Sequence, residues 1–374
     1  MRIGITCYPT YGGSGAVATE LGLELARRGH EIHLISYASP FRLRGFAEHV
    51  YFHEVDLTAA YPLLEYYPYS LALAVKQHEV AVREQLDILH VHYAVPHATA
   101  AFLAREMAAG ERDLKVVTTL HGTDITLVGQ ESSFFTVTKF SIEESDAVTA
   151  VSRYLKEETY RAFGCTGCAI DVIPNFINPA VYYPAEGRGY RDAWGSRDAK
   201  VVMHISNFRP VKRVRDVVHA FAGLRALREA VLVLVGDGPD RKAAEEEVER
   251  LGLRSDVHFL GKVDAVADLL RCADLFLLPS SSESFGLSAL EAMACGVPVV
   301  ASDIGGLREL LRDDVAGTLV PVGDVDGMVR AMDAVLEPAR WREAREAGVR
   351  LSAMYDEAKI VPQYEALYAR VLGA

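Results

Sequence analysis

The sequence lacks the long apolar segments and targeting signals of a membrane or exported protein. No run of 18 apolar residues occurs, so no membrane insertion is expected. The first residues, MRIGITCYP, read directly as a strand and do not form a secretory signal. The sequence therefore predicts a cytoplasmic protein.

Basic residues are too few for a general nucleic-acid binder. Lys and Arg number 39 against 51 Asp and Glu, which gives a net charge of −12 at pH 7. Such a surface repels phosphate backbones and offers no basic face that would release their counterions. No nucleic-acid partner is therefore expected.

Cysteine is scarce, with five residues at positions 7, 165, 168, 272 and 295. An odd and scattered set indicates reduced thiols rather than a disulfide framework. The segment CTGC contains a C-x-x-C pair, Cys165 and Cys168, but no second pair completes a zinc site. A redox or metal role at this pair is therefore the less favoured interpretation.

Only one D-x-D pair occurs, Asp324 and Asp326 in PVGDVDGM. Such a pair can hold a divalent ion on a diphosphate, but here a helical segment follows at once. We therefore predict that Asp324 or Asp326 caps that helix. Since no other metal cluster is evident, the sequence predicts no bound metal.

The chain repeats one structural plan. Its 374 residues exceed a single ordinary core. Apolar strands alternate with amphipathic helices from RIGITCY to DAVTAVS and again from KVVMHISNF to PVVAS, as in parallel sheets covered on both faces. This predicts an α/β fold with two Rossmann-like domains, residues 1–176 and 177–355, facing a deep cleft. Residues 356–374 have helical spacing and are expected to pack back on the first domain.

The segment GGSG, Gly12 to Gly15, follows the first strand and opens a helix. Glycine permits close approach of a ligand to the backbone, and the free N–H groups of a helix N-terminus attract an anion. A dinucleotide fingerprint is disfavoured because the second strand, HEIHLISYASP, ends without the acidic residue that holds a ribose. Two interpretations stay open: an anion site without a dinucleotide, or a tight turn needed only for packing.

Three short segments after later strands are candidates for ligand contacts. SNFRPVKR contains Asn207, Lys212 and Arg213, which either place positive charge beside the cleft or form a solvated basic turn. VGDGPD, which contains Gly236, is a second glycine turn. HGTD begins with His121, which is either a hydrogen-bonded structural residue or a substrate contact.

The segment ESFGLSALEAMACGVPVV holds two glutamates, Glu283 and Glu291. FGLSALEAMAC reads as a helix that ends before Gly296 and Pro298. Eight helical positions span ~12 Å, whereas the carboxylate pairs of glycosidases lie roughly 5–9.5 Å apart. Glu283 also precedes the helix. We therefore interpret the pair as two separate contacts to one long ligand, not as a hydrolytic acid and base.

As a set, the two glutamates with FGL between them, ACGVPVVASDIGG, FRPVK and VGDGP resemble the retaining glycosyltransferases of family 4, which have the GT-B fold. In the first half, GITCYPTYGGSG, ILHVHYAVPHA and VTTLHGTDIT are similar to the members of that family that act in bacillithiol biosynthesis. The resemblance covers nearly the whole chain. It implies transfer of N-acetylglucosamine from UDP-N-acetylglucosamine to the hydroxyl of L-malate, with retention of configuration and without a metal or another cofactor.

The resemblance also assigns roles to the candidate residues. Glu291 would accept hydrogen bonds from the ribose of the donor. Glu283 would hold sugar hydroxyls, His121 would contact the sugar, and Lys212 would stabilise the leaving UDP; these three form the implied catalytic set. The other implied donor contacts are Gly13, Ser14, Gly15, Asn207, Arg213, Gly236 and the backbone of Phe285, Gly286 and Leu287.

Tyr93, Thr119 and Lys139 are the implied acceptor contacts. Lys139, in TKFSIEESDAV, departs from the family pattern, in which arginine is expected, and a lysine keeps the charge but not the bidentate carboxylate contact. The main alternative is a family 4 enzyme that uses UDP-N-acetylglucosamine or another nucleotide sugar with a different small acceptor. The rivals from other classes are a dinucleotide-dependent oxidoreductase and a catalytically silent sensor of sugar nucleotides. The oligomeric state stays open, with a homodimer or larger homo-oligomer compatible with the sequence.

Overall fold

The computed structural model describes residues 1–9, 12–40, 42–43, 45–57, 68–165, 167–185, 187, 189–195, 198–311 and 315–373. The chain divides into two compact units. Unit 1 comprises Met1–Asn175 and Ala358–Ala374, and unit 2 comprises Phe176–Glu357. Among the residues described, no helix is long and apolar enough to cross a bilayer.

Unit 1 is built on a seven-stranded parallel sheet with the order β3-β2-β1-β4-β5-β6-β7. Its strands are β1 Arg2–Thr6, β2 Glu31–Ser36, β3 Val50–Glu54, β4 Ile88–His92, β5 Lys115–Leu120, β6 Ala147–Ala150 and β7 Ile170–Val172. Parallel strands bring their carboxyl ends to one edge of the sheet. The strand order reverses between β1 and β4, and sheets of this kind bind ligands at that switch point.

Among the described residues of unit 1, six α-helices connect these strands: α1 Gly13–Arg27, α2 Tyr69–Arg83, α3 Thr99–Ala108, α4 Thr123–Thr126, α5 Ser132–Glu143 and α6 Arg153–Phe163. A π-helical turn, Ala94–Ala98, follows β4 directly. The apolar faces of α2 and α3 bury Leu73 and Ala101 against Leu89 of the sheet. Burial on both faces of the sheet fits β4, in which every residue is buried, and β5, in which only the first residue, Lys115, is partly exposed.

Unit 2 is built on a six-stranded parallel sheet with the order β10-β9-β8-β11-β12-β13. Its strands are β8 Lys200–Ile205, β9 Ala230–Val235, β10 Val257–Gly261, β11 Leu275–Leu278, β12 Val299–Ser302 and β13 Gly317–Val320. Its helices are α7 Val214–Arg225, α8 Arg241–Arg250, α9 Val266–Leu270, α10 Leu287–Ala294, α11 Gly305–Leu310, α12 Val325–Val335 and α13 Pro338–Ser352. The core on one face packs Phe221 of α7 and Met332 of α12 against β8, β9 and β11.

The last helix, α14 Glu357–Leu372, packs on unit 1. Glu365 forms an ion pair of 2.8 Å with Arg28 at the end of α1. Tyr368 is fully buried, and its hydroxyl lies 2.7 Å from Nδ1 of His90 in β4. The C-terminal segment therefore supplies part of the interior of unit 1.

The predicted fold class is confirmed: each half contains a Rossmann-like parallel sheet. The sequence analysis did not identify β3, β7 and β13. β7 has only three residues and β13 only four, too few to show a periodic pattern. β3 is an edge strand whose side chains are mostly half-buried or exposed, so it lacks the apolar signature of the inner strands.

Candidate active site

The glycine-rich turn of unit 1 meets the end of a neighbouring strand at the switch point. The turn after β1 opens α1 at Gly13, and the Tyr93 hydroxyl donates a hydrogen bond of 2.9 Å to the hydroxyl of Ser14. Tyr93 follows β4 and has a φ of 91°, a strained value for a residue with a side chain. The structure therefore brings a predicted donor contact and a predicted acceptor contact together.

His121 follows β5 and lies beside the same residues. Its ring centre is 5.3 Å from that of Tyr93, and its Nε2 is 2.8 Å from Nδ1 of His92. Burial, with a smaller effect of His97, lowers the pKa of His121 to about 3, so the ring is neutral at pH 7. The residue is nevertheless only half-buried. At pH 7 His121 is thus a neutral polar side chain and not a cation.

Asp124 fixes the loop that carries His121. One carboxylate oxygen accepts hydrogen bonds from the backbone N–H groups of Gly122 (2.9 Å) and His121 (3.3 Å), and the other accepts from Ala94 (2.9 Å). Burial raises the pKa of Asp124 to about 6, partly offset by these hydrogen bonds. No role was predicted for the aspartate of HGTD. A short acidic side chain just after a strand often accepts hydrogen bonds from the backbone N–H groups of its own loop, and this pattern could have indicated the role.

Thr119 does not have the position that the acceptor prediction requires. Its side chain is fully buried in β5. Its hydroxyl lies 2.7 Å from His90 Nε2 and 2.7 Å from the Thr149 hydroxyl, so its hydrogen-bonding capacity is used inside unit 1. The prediction of Thr119 as an acceptor contact is corrected to a structural role. α14 covers this part of the sheet, since the Tyr368 hydroxyl reaches His90.

Lys139 lies on α5. Its ammonium is 3.8 Å from the Glu143 carboxylate, and 37% of its side chain is exposed. α5 is joined to α3 by a hydrogen bond of 2.7 Å between Ser141 and Thr99. Lys139 is therefore available to an anion, and its role toward an acceptor stays a prediction.

In unit 2, two of the predicted catalytic residues contact each other. The Lys212 ammonium lies 2.5 Å from Oε1 of Glu283, and the Ser280 hydroxyl donates to the same oxygen at 2.8 Å. A backbone hydrogen bond of 2.8 Å from Ser281 to Val211 holds the two loops together. This cation and carboxylate are mostly buried, so their attraction is screened less than that of a surface pair.

Glycine allows the turns after β8 and β9 to touch. A Cβ atom on Gly236, which has a φ of 123°, would lie 1.8 Å from the carbonyl oxygen of Ser206. One on Gly238 would lie 2.0 Å from the carbonyl oxygen of Asn207. Within the described residues, the buried Oδ1 of Asn207 has no hydrogen-bond partner. A buried acceptor without a partner is suited to accept a hydrogen bond from an N–H or O–H group of a ligand.

A third glycine contact shapes the start of α10. Gly286 caps this helix with a φ of 94°, and a Cβ atom there would lie 2.4 Å from Leu307. Gly306, at the start of α11, donates its N–H to the Glu283 carbonyl at 3.0 Å. The first N–H groups of α10, from Leu287 onward, have no partner within the helix and carry the positive end of its dipole. Such N–H groups are suited to an anion, so the start of α10, close in sequence to Glu283, is a candidate contact for one.

The helix predicted over FGLSALEAMAC is confirmed as α10. It ends before Gly296, which has a φ of 76°. Glu291 lies within α10 and is 4% exposed, whereas Glu283 precedes the helix and contacts Lys212. The two carboxylates thus occupy different surroundings, as two separate contacts require. Their roles toward a ligand stay predictions.

The remaining charged candidates have structural partners. Arg213 precedes α7 and its guanidinium bonds Asp216 at 2.7 Å. Asp324 caps α12 by accepting from the Gly327 N–H at 2.8 Å, which confirms the capping prediction. All five cysteines are free, and burial with Cys168 nearby raises the pKa of Cys165 to about 12. Within the described ranges, no group of three or more His, Cys, Asp or Glu side chains could hold a metal ion.

Comparison with known proteins matches both halves of the chain. Residues 11–181 match the family model described as Glycosyltransferase Family 4, and residues 190–348 match Glycosyl transferases group 1. The N-acetyl-alpha-D-glucosaminyl L-malate synthase of Bacillus anthracis is 48% identical over 378 residues, which cover 100% of this chain and 97% of that protein.

Two solved structures share the fold. Sucrose-phosphate synthase from Thermosynechococcus elongatus has a TM-score of 0.83 at 21% identity and covers 100% of this chain and 99% of its own. HepE from Anabaena, solved in complex with UDP and glucose, has a TM-score of 0.82 at 22% identity and covers 99% of each chain. These structures support the fold alone, whereas the two family models and the full-length relative at 48% identity show that the chain belongs to the family 4 glycosyltransferases.

Proposed function

We propose that this glycosyltransferase moves N-acetylglucosamine from UDP-N-acetylglucosamine to the hydroxyl of L-malate, with retention of the α configuration. This is the first step of bacillithiol biosynthesis. The observation that carries the proposal is the 48% identity over the full chain to the Bacillus anthracis protein named for the malate product. The polar groups of the two units support it independently.

Unit 2 has the groups that a nucleoside diphosphate sugar needs. In the proposal, the N–H groups at the start of α10 and the side-chain N–H of Asn207 donate to the diphosphate, and Glu291 accepts hydrogen bonds from the ribose. Lys212 stabilises the negative charge that develops on UDP as the sugar carbon becomes cationic. The ammonium already lies against Glu283, so both groups are held in place before the donor arrives. Glu283 would then keep its second oxygen for sugar hydroxyls.

Unit 1 has the groups that suit the sugar and a small hydroxy acid. Tyr93 and Ser14 form one hydrogen-bonded pair at the switch point, and we propose that this pair contacts the acceptor. Lys139 would attract one malate carboxylate, since a dianion approaching a protein of net charge −12 needs a local cation. The neutral His121 would contact the sugar. The leaving phosphate oxygen takes the proton of the malate hydroxyl on the same face, so no protein base or nucleophile is required.

The second candidate is transfer to a different small acceptor. Lys139 favours it, because a lysine orients a carboxylate less strictly than the arginine expected at this position. Both candidates use the same donor and the same residues of unit 2. They differ only in the ligand bound by unit 1.

The test is an acceptor panel. Purified protein is incubated with UDP-N-acetylglucosamine and with L-malate, D-malate, other hydroxy acids or sugar phosphates. UDP release is measured, and the anomeric configuration of the product is determined by NMR. The proposal requires L-malate to give the highest kcat/KM and an α-linked product. If malate does not raise UDP release above the rate of donor hydrolysis while another acceptor does, the second candidate is correct.

A further inference from the structure

His92, for which no role was predicted, lies against His121, the residue proposed to bind the sugar. His92 is the last residue of β4 and is fully buried. Its Nδ1 lies 2.8 Å from His121 Nε2, and the two rings stack with centres 5.1 Å apart. Among the described residues, its Nε2 has no hydrogen-bond partner. A buried nitrogen in this state constrains where the protons of the pair can be.

The neighbouring rings do not offer His92 a second partner. His90 stacks on it at 4.6 Å but directs Nδ1 to Tyr368 and Nε2 to Thr119. His97 directs Nδ1 to the backbone carbonyl of His92, so that nitrogen must be the donor. The side-chain hydrogen bond of His92 is therefore the one to His121.

Both members of the pair are neutral imidazoles at pH 7. Burial, with the histidines nearby, lowers the pKa of His92 well below its usual value, and burial lowers that of His121 to about 3. A neutral imidazole has one N–H donor and one acceptor nitrogen. In the 2.8 Å contact, one ring therefore donates and the other accepts.

The orphaned nitrogen of His92 decides between the two arrangements. If His121 donated from Nε2, the His92 proton would be on Nε2, a buried N–H with nothing to accept it. If His92 donates from Nδ1, its Nε2 is an unprotonated acceptor. Buried N–H groups without a partner are rarer in proteins than under-used acceptors, so the second arrangement is favoured. His121 then has its own proton on Nδ1, the ring nitrogen that this contact leaves for a ligand.

We propose that His92 is a positioning residue that holds His121 with its proton on Nδ1, so that His121 donates a hydrogen bond to a ligand oxygen and cannot act as a base. The assignment of that oxygen to the sugar of the donor rests on the proposed function, whereas the proton arrangement does not. A fixed donor suits a retaining transfer without a protein base, because a free acceptor nitrogen beside the sugar would activate water and promote hydrolysis.

The proton arrangement is tested by NMR on the complete chain labelled with ¹⁵N-histidine. Long-range proton–nitrogen correlation distinguishes a protonated from an unprotonated ring nitrogen, and the His121→Asn variant identifies the His121 signals among the 12 histidines. We expect an unprotonated Nε2 and a protonated Nδ1. A His90→Phe variant is the matched control, since His90 belongs to the same stack but does not contact His121, and it must leave this pattern unchanged. A protonated Nε2 in the wild type overturns the proposal, whether or not malate is the acceptor.

The functional consequence is tested with two substitutions of His92. His92→Phe keeps the shape and stacking but removes the donor, and it should lower kcat with UDP-N-acetylglucosamine about tenfold, as loss of one oriented hydrogen bond does. The affinity for UDP alone should not change. His92→Asn places an amide N–H near the position of Nδ1 and should restore kcat to within about threefold of wild type.

A purely structural role predicts a different result. In that case each variant would lower kcat in proportion to its loss of stability. Thermal unfolding of His92→Phe, His92→Asn and the wild type measures that loss. Equal kcat for the two variants at equal stability, or wild-type kcat in folded His92→Phe, overturns the proposal. If malate is not the acceptor, the same comparison is made with the acceptor that the panel of acceptors identifies.

Discussion

The two units share the inner strand order of a Rossmann sheet but place different kinds of polar group at the carboxyl ends of their strands. In unit 1 these groups are neutral rings and hydroxyls, with Tyr93 on Ser14 and His121 on His92. In unit 2 they are an ammonium and a carboxylate, Lys212 and Glu283, beside the start of α10. One strand order therefore presents neutral polar groups in unit 1 and an ammonium with a carboxylate in unit 2.

The interiors differ in the same way. Unit 1 buries His33, His90, His92 and His97, whereas unit 2 buries only His204 among the histidines, all of which lie in the described residues. Buried imidazoles are satisfied by hydrogen bonds while neutral and become costly when protonated. Unit 1 is therefore expected to respond to pH, and unit 2 to the loss of single charges.

The largest expected effect is loss of Lys212 from the charged site. Lys212→Ala should lower kcat by about 10²–10³, because it removes the cation that stabilises the leaving diphosphate. Steady-state kinetics with saturating donor measures it. Arg209→Ala is the matched control, since Arg209 is an exposed cation in the same turn and should change kcat by less than about twofold. An equal loss of kcat in both variants would mean that the effect comes from disturbing the turn and not from losing the Lys212 ammonium.

Acidification should weaken unit 1 more than unit 2. Burial lowers the pKa of His90 to about 3 and that of His97 to about 4, below the usual histidine value of about 6.5. This stability is present above pH 6.5 and is lost as the pH falls toward the folded pKa, because only the unfolded chain takes up the proton. At pH 5 the loss is ~2 kcal/mol for each such histidine. Asp124, whose pKa is raised to about 6, acts in the opposite direction and offsets part of it.

Hydrogen exchange separates the two units in this experiment. After correction for the intrinsic rate, protection in β4 and β5 should fall more between pH 7 and pH 5 than protection in β8 and β9, where His204 alone contributes, with a pKa of about 4. Fluorescence of Trp194 and Trp341 gives a second measure of unit 2. Equal loss of protection in both units would contradict the contrast in buried histidines.

Calorimetry with UDP should distinguish the roles of the two glutamates of unit 2. Glu291→Ala should weaken UDP binding about tenfold, the value of a charge-assisted hydrogen bond to ribose. Glu283→Ala should leave UDP binding unchanged or tighter, because Lys212 loses its carboxylate partner, while turnover of the sugar nucleotide falls. Similar losses of UDP affinity in both variants would show that the two carboxylates do not bind different parts of the donor.

A smaller effect is expected at the cation of unit 1. Lys139→Ala should raise KM for malate several-fold and leave KM for the donor nearly unchanged, since an exposed ammonium attracts a carboxylate with modest energy. Lys139→Arg should retain most activity. Lys156→Ala, a half-buried lysine on α6, is the control and should leave both constants unchanged. An unchanged malate KM in Lys139→Ala would assign the carboxylate contact to another residue.

The smallest effect is expected from removal of divalent ions. Activity should be unchanged in EDTA, because Lys212 and the N–H groups of α10 supply the positive charge that a metal provides in other transferases. The assay compares initial rates with and without chelator, then after addition of magnesium or manganese. Complete loss that magnesium restores would refute the proposal of a metal-independent reaction.

Much of the fold could be predicted because its signals are local. The alternation of apolar strands with amphipathic helices, the start of α1 at GGSG and the end of α10 before Gly296 each depend on a few consecutive residues. Asp324 could be assigned as a cap for the same reason. Short or edge strands such as β7 and β3 were missed, since their residues do not differ enough from a loop.

The α/β class, the family resemblance and most of the candidate residues could be predicted from the sequence, because side-chain chemistry and turn geometry depend on short segments. Which of those residues contact each other depends on the folded chain. Ser14 and Tyr93 are 79 positions apart and meet because β1 pairs with β4, and Lys212 and Glu283 are 71 positions apart and meet because β8 pairs with β11. The order of strands in a sheet is set by the packing of the whole unit, and that packing also buried Thr119 under α14.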